Sequence, residues 1–169
     1  MRRFDEQGDV SRAIAGGVIA GIIGGLVLNA LVAFLTVSAG GDIWTAFKGA
    51  GAPFLGERSA EPGYDPFAVA VGFFGHYLVS IGWGVVFGLL VYGLDRAVTV
   101  LAGAAFGLIV WLGMYWVVLP LVGLGAMSAQ GANGLTALLH VLFGLTLGIV
   151  FLPFQVPKRI QRRHEPVLP

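Results

Sequence analysis

No cysteine occurs in the chain, which excludes disulfides, thiolate catalysis and Cys-ligated clusters and leaves its redox compartment unmarked. Charge is nearly as scarce: ten Lys and Arg and nine Asp and Glu among 169 residues. Their positions matter more than their number. Between Arg12 and Asp42, between Asp65 and Asp95, and between Arg96 and Lys158 there is no Asp, Glu, Lys or Arg, which leaves gaps of 29, 29 and 61 residues. A charged side chain in hydrocarbon costs several kcal/mol, so these gaps read as membrane-spanning helices. The net charge of +1 gives no basis for nucleic-acid binding, and the Lys and Arg flank apolar runs, where the lipid bilayer is the partner they suit.

What fills the gaps is apolar. Hydrophobic residues make up 57% of the chain, more than a water-soluble domain of this size would carry on its surface. Spans of about 20–25 residues each use nearly the whole length, so the sequence predicts one all-α membrane domain without a separate soluble part. The predicted helices cover about 13–37, 67–94, 97–122 and 135–154, with an outer loop at 38–66. Val37-Ser38-Ala39 resembles a signal-peptide cleavage site, but the preceding apolar run is far longer than a signal core, so it reads as a span. Pro66 opens the second helix and Gly93, Asp95 and Arg96 close it. The 61-residue gap is divided by the turn formers from Ser128 to Gly134, and Pro120 is expected to kink or end the third helix.

Orientation follows from Lys and Arg. Arg2, Arg3, Arg12, Arg96, Lys158, Arg159, Arg162 and Arg163 lie on one side of such a four-span chain, against Lys48 and Arg58 on the other. Eight against two predicts both termini in the cytoplasm. The outer loop carries Ile43, Trp44, Phe47, Phe54 and Leu55 beside four acidic residues, and part of it reads as a short interfacial helix anchored by Trp44.

Small residues recur along the spans. Gly17, Gly21, Gly25 and Asn29 are spaced by four in the first, and Gly72, His76, Ser80, Gly84 and Gly88 in the second. Gly103 and Gly107 follow in the third, and Thr136, His140, Gly144 and Gly148 in the fourth. Four residues turn a helix by about 400°, so each stripe drifts only about 40° per step and offers a flat face for another backbone. Packing, within the bundle or with copies of the chain, is the expected use. The halves also resemble each other: Gly17-x-x-x-Gly21 matches Gly103-x-x-x-Gly107, and His76 to Gly84 matches His140 to Gly148. With two helices per half, such a repeat would be parallel, related by an axis along the membrane normal.

His76 and His140 are the only side chains within the spans that titrate readily near neutral pH. At a rise of 1.5 Å per residue they lie about 8–13 Å inside the outer boundary. Three uses are open: a neutral imidazole bonded to Ser80, Asn29, Thr136 or a carbonyl across a helix seam, a proton-linked site, or ligation of haem or metal between aromatics such as Trp83, Trp111, Tyr115 and Trp116. Other chemistry is absent. Gly82-x-Gly84-x-x-x-Gly88 has the wrong spacing for a nucleotide loop, there is no P-loop or zinc-protease motif, and no carboxylate pair lies at membrane depth.

His76-x-x-x-Ser80, the run Leu119-Pro120-Leu121-Val122-Gly123-Leu124, His140 and the basic end leading to His164-Glu165-Pro166 carry a resemblance to the YagU-type family of small bacterial inner-membrane proteins, over about residues 67–166. The second outer loop is shorter here than in that family. The resemblance implies a bacterial inner membrane, a role linked to acid stress, and His76 and His140 as the positions to test. The resulting expectation is a non-enzymatic integral membrane protein, a structural or accessory part of a larger assembly or homo-oligomer, without a cofactor. The alternative is a histidine-dependent site, for proton-coupled passage of a small solute or for b-type haem.

Overall fold

The computed structural model describes residues 3–155, apart from the side chains of residues 3–8 and Gln130. The basic residues Arg2, Lys158, Arg159, Arg162 and Arg163, and the His164–Pro166 segment, lie outside the described residues, as does the side chain of Arg3. Among the described residues the regular structure is all helical, and four stretches are long and apolar enough to cross a membrane: Asp9–Ser38, Pro66–Val91, Arg96–Leu121 and Gly134–Phe154. It is a multi-pass membrane protein.

Helix α1 spans Arg3–Ser38 and begins ahead of the apolar run, with no proline to stop it in its polar first turns. The connection to the next span folds into short helices, α2 (Ile43–Lys48) and α3 (Ala52–Leu55), joined by single turns. Helix α4 (Pro66–Val91) starts at Asp65, whose carboxylate accepts from the Ala68 N–H at 3.1 Å, with Pro66 in the first turn where an N–H has no helical partner. Gly93, at φ 87°, makes the tight turn into α5 (Arg96–Gly113).

Pro120 changes its helix one turn earlier than the residue itself. Met114–Val118 forms a π turn, with the Leu119 N–H reaching the Met114 carbonyl, before a last turn α6 (Leu119–Leu121). The wider turn gives space to a ring that would otherwise press on the carbonyl four residues back. The Ser128–Gly134 cluster is not a plain loop: α7 (Gly125–Gly131) runs through most of it. Ser128 donates to the Tyr115 carbonyl and holds α7 against the π turn, so the break falls at Ala132–Asn133. There the Asn133 side chain accepts from the Leu135 and Thr136 N–H groups and caps α8 (Gly134–Phe151).

Around the bundle the order is α4, α1, α8, α5, with α4 and α5 in contact over little of their length. The two most intimate pairs meet through glycine. A Cβ on Gly17 would lie 2.5 Å from the Gly84 carbonyl oxygen, and one on Gly21 2.5 Å from that of Ser80. One on Gly88 would lie 2.6 Å from the Ala13 oxygen. Between α5 and α8, a Cβ on Gly103 or Gly107 would collide with the carbonyls of Gly144 or His140, and one on Gly148 would lie 2.9 Å from Val100 Cα. Bare backbones approach here because nothing larger than hydrogen intervenes.

The half of the bundle near the α1 start and the α4–α5 turn is filled. Phe87, Phe106, Leu147, Phe151 and Ala20 form its core, with Phe87 and Phe106 ring centroids 5.3 Å apart across the α4–α5 gap. Gln155 ties this end together. Its Nε2 donates to the Val91 carbonyl at 2.9 Å and the Thr99 hydroxyl at 2.6 Å, and its Oε1 accepts from the Gly93 N–H at 2.8 Å.

Candidate functional site

The opposite half is not filled. Beneath α2 and the turn after it, two connected lobes of about 550 and 310 Å³ open between α1, α4, α8 and the π turn. They share the walls formed by Leu28, Ala50, Met114, Leu119 and both span histidines. Polar residues enter from three helices: Asn29 from α1, His76 and Ser80 from α4, and Thr136 and His140 from α8. The helix order explains the space, because α4 and α5 meet through aromatics in one half and stand apart in the other.

His76 bridges a seam. Its Nε2 lies 2.9 Å from the Gly25 carbonyl oxygen of α1; a carbonyl only accepts, so Nε2 carries the hydrogen and Nδ1 is left as an acceptor. The small residue at position 25 lets α4 approach this closely, since a Cβ there would lie 2.9 Å from Cβ and Oγ of Ser80. His140 bonds within its own helix: Nδ1 donates to the Thr136 carbonyl at 2.7 Å, leaving Nε2 unprotonated. The ring meets Tyr115 edge to face, with centroids 5.9 Å apart. Both bonds go to main-chain oxygens rather than to the side chains of Asn29, Ser80 or Thr136.

Asn29 and Ser80 are 6% and 4% exposed, and neither side chain makes a hydrogen bond in the structure. Among the described residues no side-chain nitrogen or oxygen fully sealed from solvent lacks a partner. The Asn29 amide and Ser80 hydroxyl therefore open onto the free volume they line, as do the unprotonated nitrogens of the imidazoles. Polar groups this buried are almost always bonded, so four with spare capacity around one space mark a place for a ligand.

The donor set limits which ligand. Among the described residues no cluster of three His, Asp or Glu exists to hold a metal ion. His140 has the arrangement common in ligating histidines, Nδ1–H on a carbonyl and Nε2 free. His76 has the reverse, and its free Nδ1 sits next to its own Cβ, where a flat macrocycle would strike the backbone. The pair does not fit one haem between them.

The outer covering is pinned by charge. Lys48, 1% exposed, donates through Nζ to the main-chain oxygens of Glu61 and Gly63, the latter at 3.1 Å. A Cβ on Gly72 would strike the Phe47 carbonyl, so the end of α2 lies directly on α4. Arg58 pairs with Asp65 at 2.5 Å, and that bond is the main cause holding the Asp65 carboxyl below the usual carboxylate range. The Trp44 and Tyr64 rings meet at a 56° tilt with centroids 4.6 Å apart, joining the start of α2 to the loop before α4.

Trp111 donates to the Thr136 hydroxyl at 3.0 Å and Trp83 packs on Phe106, whereas Trp116 faces outward. Sequence reasoning uses Lys48 only for orientation and passes over Gln155. The signals existed: a lone cation inside an apolar segment, and a lone amide just past an apolar run.

The sequence pattern of a family of unknown function (DUF6789) matches residues 11–161, and the chain belongs to that family. No curated protein and no solved structure matches it.

Proposed function

We propose that this DUF6789 member is a non-enzymatic protein of the bacterial inner membrane that binds a small molecule in the outer half of the bilayer, with His76 and His140 as the residues on which binding depends. The observation carrying the reading is that His76, His140, Asn29 and Ser80 surround one space and keep unused hydrogen-bonding capacity there. Eight Lys and Arg against two support cytoplasmic termini, and the place of Arg12 and Arg96 in the filled half supports an outward-facing open half.

A purely accessory role is supported less. The glycine stripes that suggest association are occupied inside the bundle: Gly17, Gly21, Gly84 and Gly88 between α1 and α4, and Gly103, Gly107, Gly144 and Gly148 between α5 and α8. The same division into two glycine-sealed pairs favours a parallel repeat. Passage through the molecule is also supported less than binding, because Phe87, Leu147 and Phe151 fill the way from the histidines to the inner end.

Diethyl pyrocarbonate, a small neutral reagent that acylates an unprotonated imidazole nitrogen, tests the reading on full-length protein in liposomes. Both span histidines should be modified, more slowly in an Ala50→Trp variant that narrows the space. Modification of His164 with neither span histidine touched would sink the proposal.

A further inference from the structure

The smaller lobe reaches the surface where lipid tails would lie. Phe54, Leu78, Val79, Val118 and Val122 line it and are also exposed on the outside of the bundle, Leu78 by 75% and Phe54 by 82%. These residues sit on α3, on α4 and on the π turn and its continuation, so the lobe is the α4–α5 gap seen from the side. An occupant can enter from the bilayer without crossing the covering formed by α2 and α3. Its body must be apolar, because everything at that opening is.

The inner end of the space asks for something different. Two imidazole nitrogens accept there, the Asn29 amide both donates and accepts, and the Ser80 hydroxyl does the same. No Lys, Arg, Asp or Glu lines either lobe. An anionic head would find no cation and a cationic head no carboxylate, and a charge held there unpaired is strongly disfavoured. A neutral head carrying a hydroxyl suits these groups without a charge: it donates to one imidazole and accepts from Asn29.

We propose that the cavity takes a membrane-dissolved, single-tailed amphiphile with an uncharged hydroxyl head, its head between His76, His140 and Asn29 and its tail leaving through the opening between α4 and the π turn. This rests on the cavity being a binding site and adds the class of ligand and the route. The two lobes fall within the usual size of small-molecule sites. Asn29 distinguishes this from a chance gap between helices: 94% buried by its 6% exposure, it has no intramolecular reason to point a carboxamide into the space.

The test uses full-length protein in liposomes with a diazirine-bearing hexadecanol, irradiated and mapped by mass spectrometry. Labelling should saturate and concentrate on the peptides containing Met114–Leu119 and Met127. Unlabelled hexadecanol should displace it, while hexadecanoate and hexadecylamine should not. Asn29→Leu should weaken labelling about tenfold, the scale of one buried hydrogen-bonding group left unmatched. Should that variant fail to fold, Ala50→Trp must abolish the same cross-links by filling the shared wall. Displacement by the acid or amine as readily as by the alcohol overturns the ligand class and leaves a binding site standing. Unsaturable labelling spread over outward residues such as Phe34 and Leu101 overturns both.

Discussion

Nε2 of His76 donates to the carbonyl oxygen of Gly25 at 2.9 Å, a bond from α4 to an oxygen that already accepts within α1. It crosses the seam beside the cavity, whereas the His140 bond stays within α8. His76→Phe should therefore destabilise the folded protein by about 0.6–1.7 kcal/mol, the range for a hydrogen bond between membrane helices, and His140→Phe by less. Unfolding in mild detergent, followed by loss of helix–helix contact, measures both. Equal effects would mean that the seam bond carries no special weight.

The glycine contacts predict a contrast within one helix. Gly84 faces Gly17 and Gly21, with the Gly21 Cα 2.7 Å from where its Cβ would stand, whereas nothing lies within 4 Å of a Cβ on Gly82. Gly84→Ala should cost about 1–3 kcal/mol through overpacking, while Gly82→Ala should be neutral or stabilising because alanine favours the helix. Thermal unfolding of the two variants side by side decides it.

Gln155 is 7% exposed and satisfies Val91, Gly93 and Thr99 at once. Gln155→Leu keeps the bulk and removes three bonds at once, at a cost of about 0.5–1.5 kcal/mol each, because the Val91 carbonyl still accepts from the Leu94 N–H and the Thr99 hydroxyl still donates to Asp95. Gln155→Glu separates geometry from charge: its second oxygen cannot donate to the Val91 carbonyl, so it should also destabilise. Amide hydrogen exchange at Gly93 should rise in both, and unchanged protection there would contradict the assignment.

At the same end the Tyr92 hydroxyl donates to Asp9 at 2.8 Å, and burial, then that bond, push its phenol from 10.0 up to about 12. The folded state holds this proton more tightly than the unfolded chain. Its contribution to stability is whole below pH 10.0 and disappears as pH rises through about 12. Phenolate absorbance should show a late-titrating tyrosine that Tyr92→Phe removes. A titration unaltered by that substitution would refute the pairing.

Lys48 and the Arg58–Asp65 pair hold the covering over the cavity. Lys48→Met removes two bonds to the loop, so proteolysis after Glu57 or Glu61 should accelerate while the spans stay intact. Asp65 is held below its ordinary value, so its share of loop stability is present above that value and is lost as pH falls through the lowered one. Proteolysis of the wild-type loop should accelerate in that acid range, and in Asp65→Asn it should be fast at neutral pH.

Much of the fold is legible because hydrocarbon acts on residues one at a time. The predicted spans at 67–94 and 135–154 fall within a few residues of Pro66–Val91 and Gly134–Phe154. The departures occur where a residue acts on neighbours distant in sequence. Ser128 belongs to a turn-forming cluster by type, yet its bond to the Tyr115 carbonyl keeps α7 helical. Pro120 reads as a break, and a π turn before it absorbs the clash.

His76, His140, Asn29 and Ser80 stand out in the sequence as the polar groups of apolar runs, but nothing local says that they share a space. By itself the sequence determined how many times the chain can cross a membrane and where, since the cost of placing charge in lipid is paid at each position whatever the neighbours. Only the tertiary structure decided that α4 and α5 close at one end and part at the other, because that depends on which helix faces bring glycine to glycine and which bring aromatic rings together.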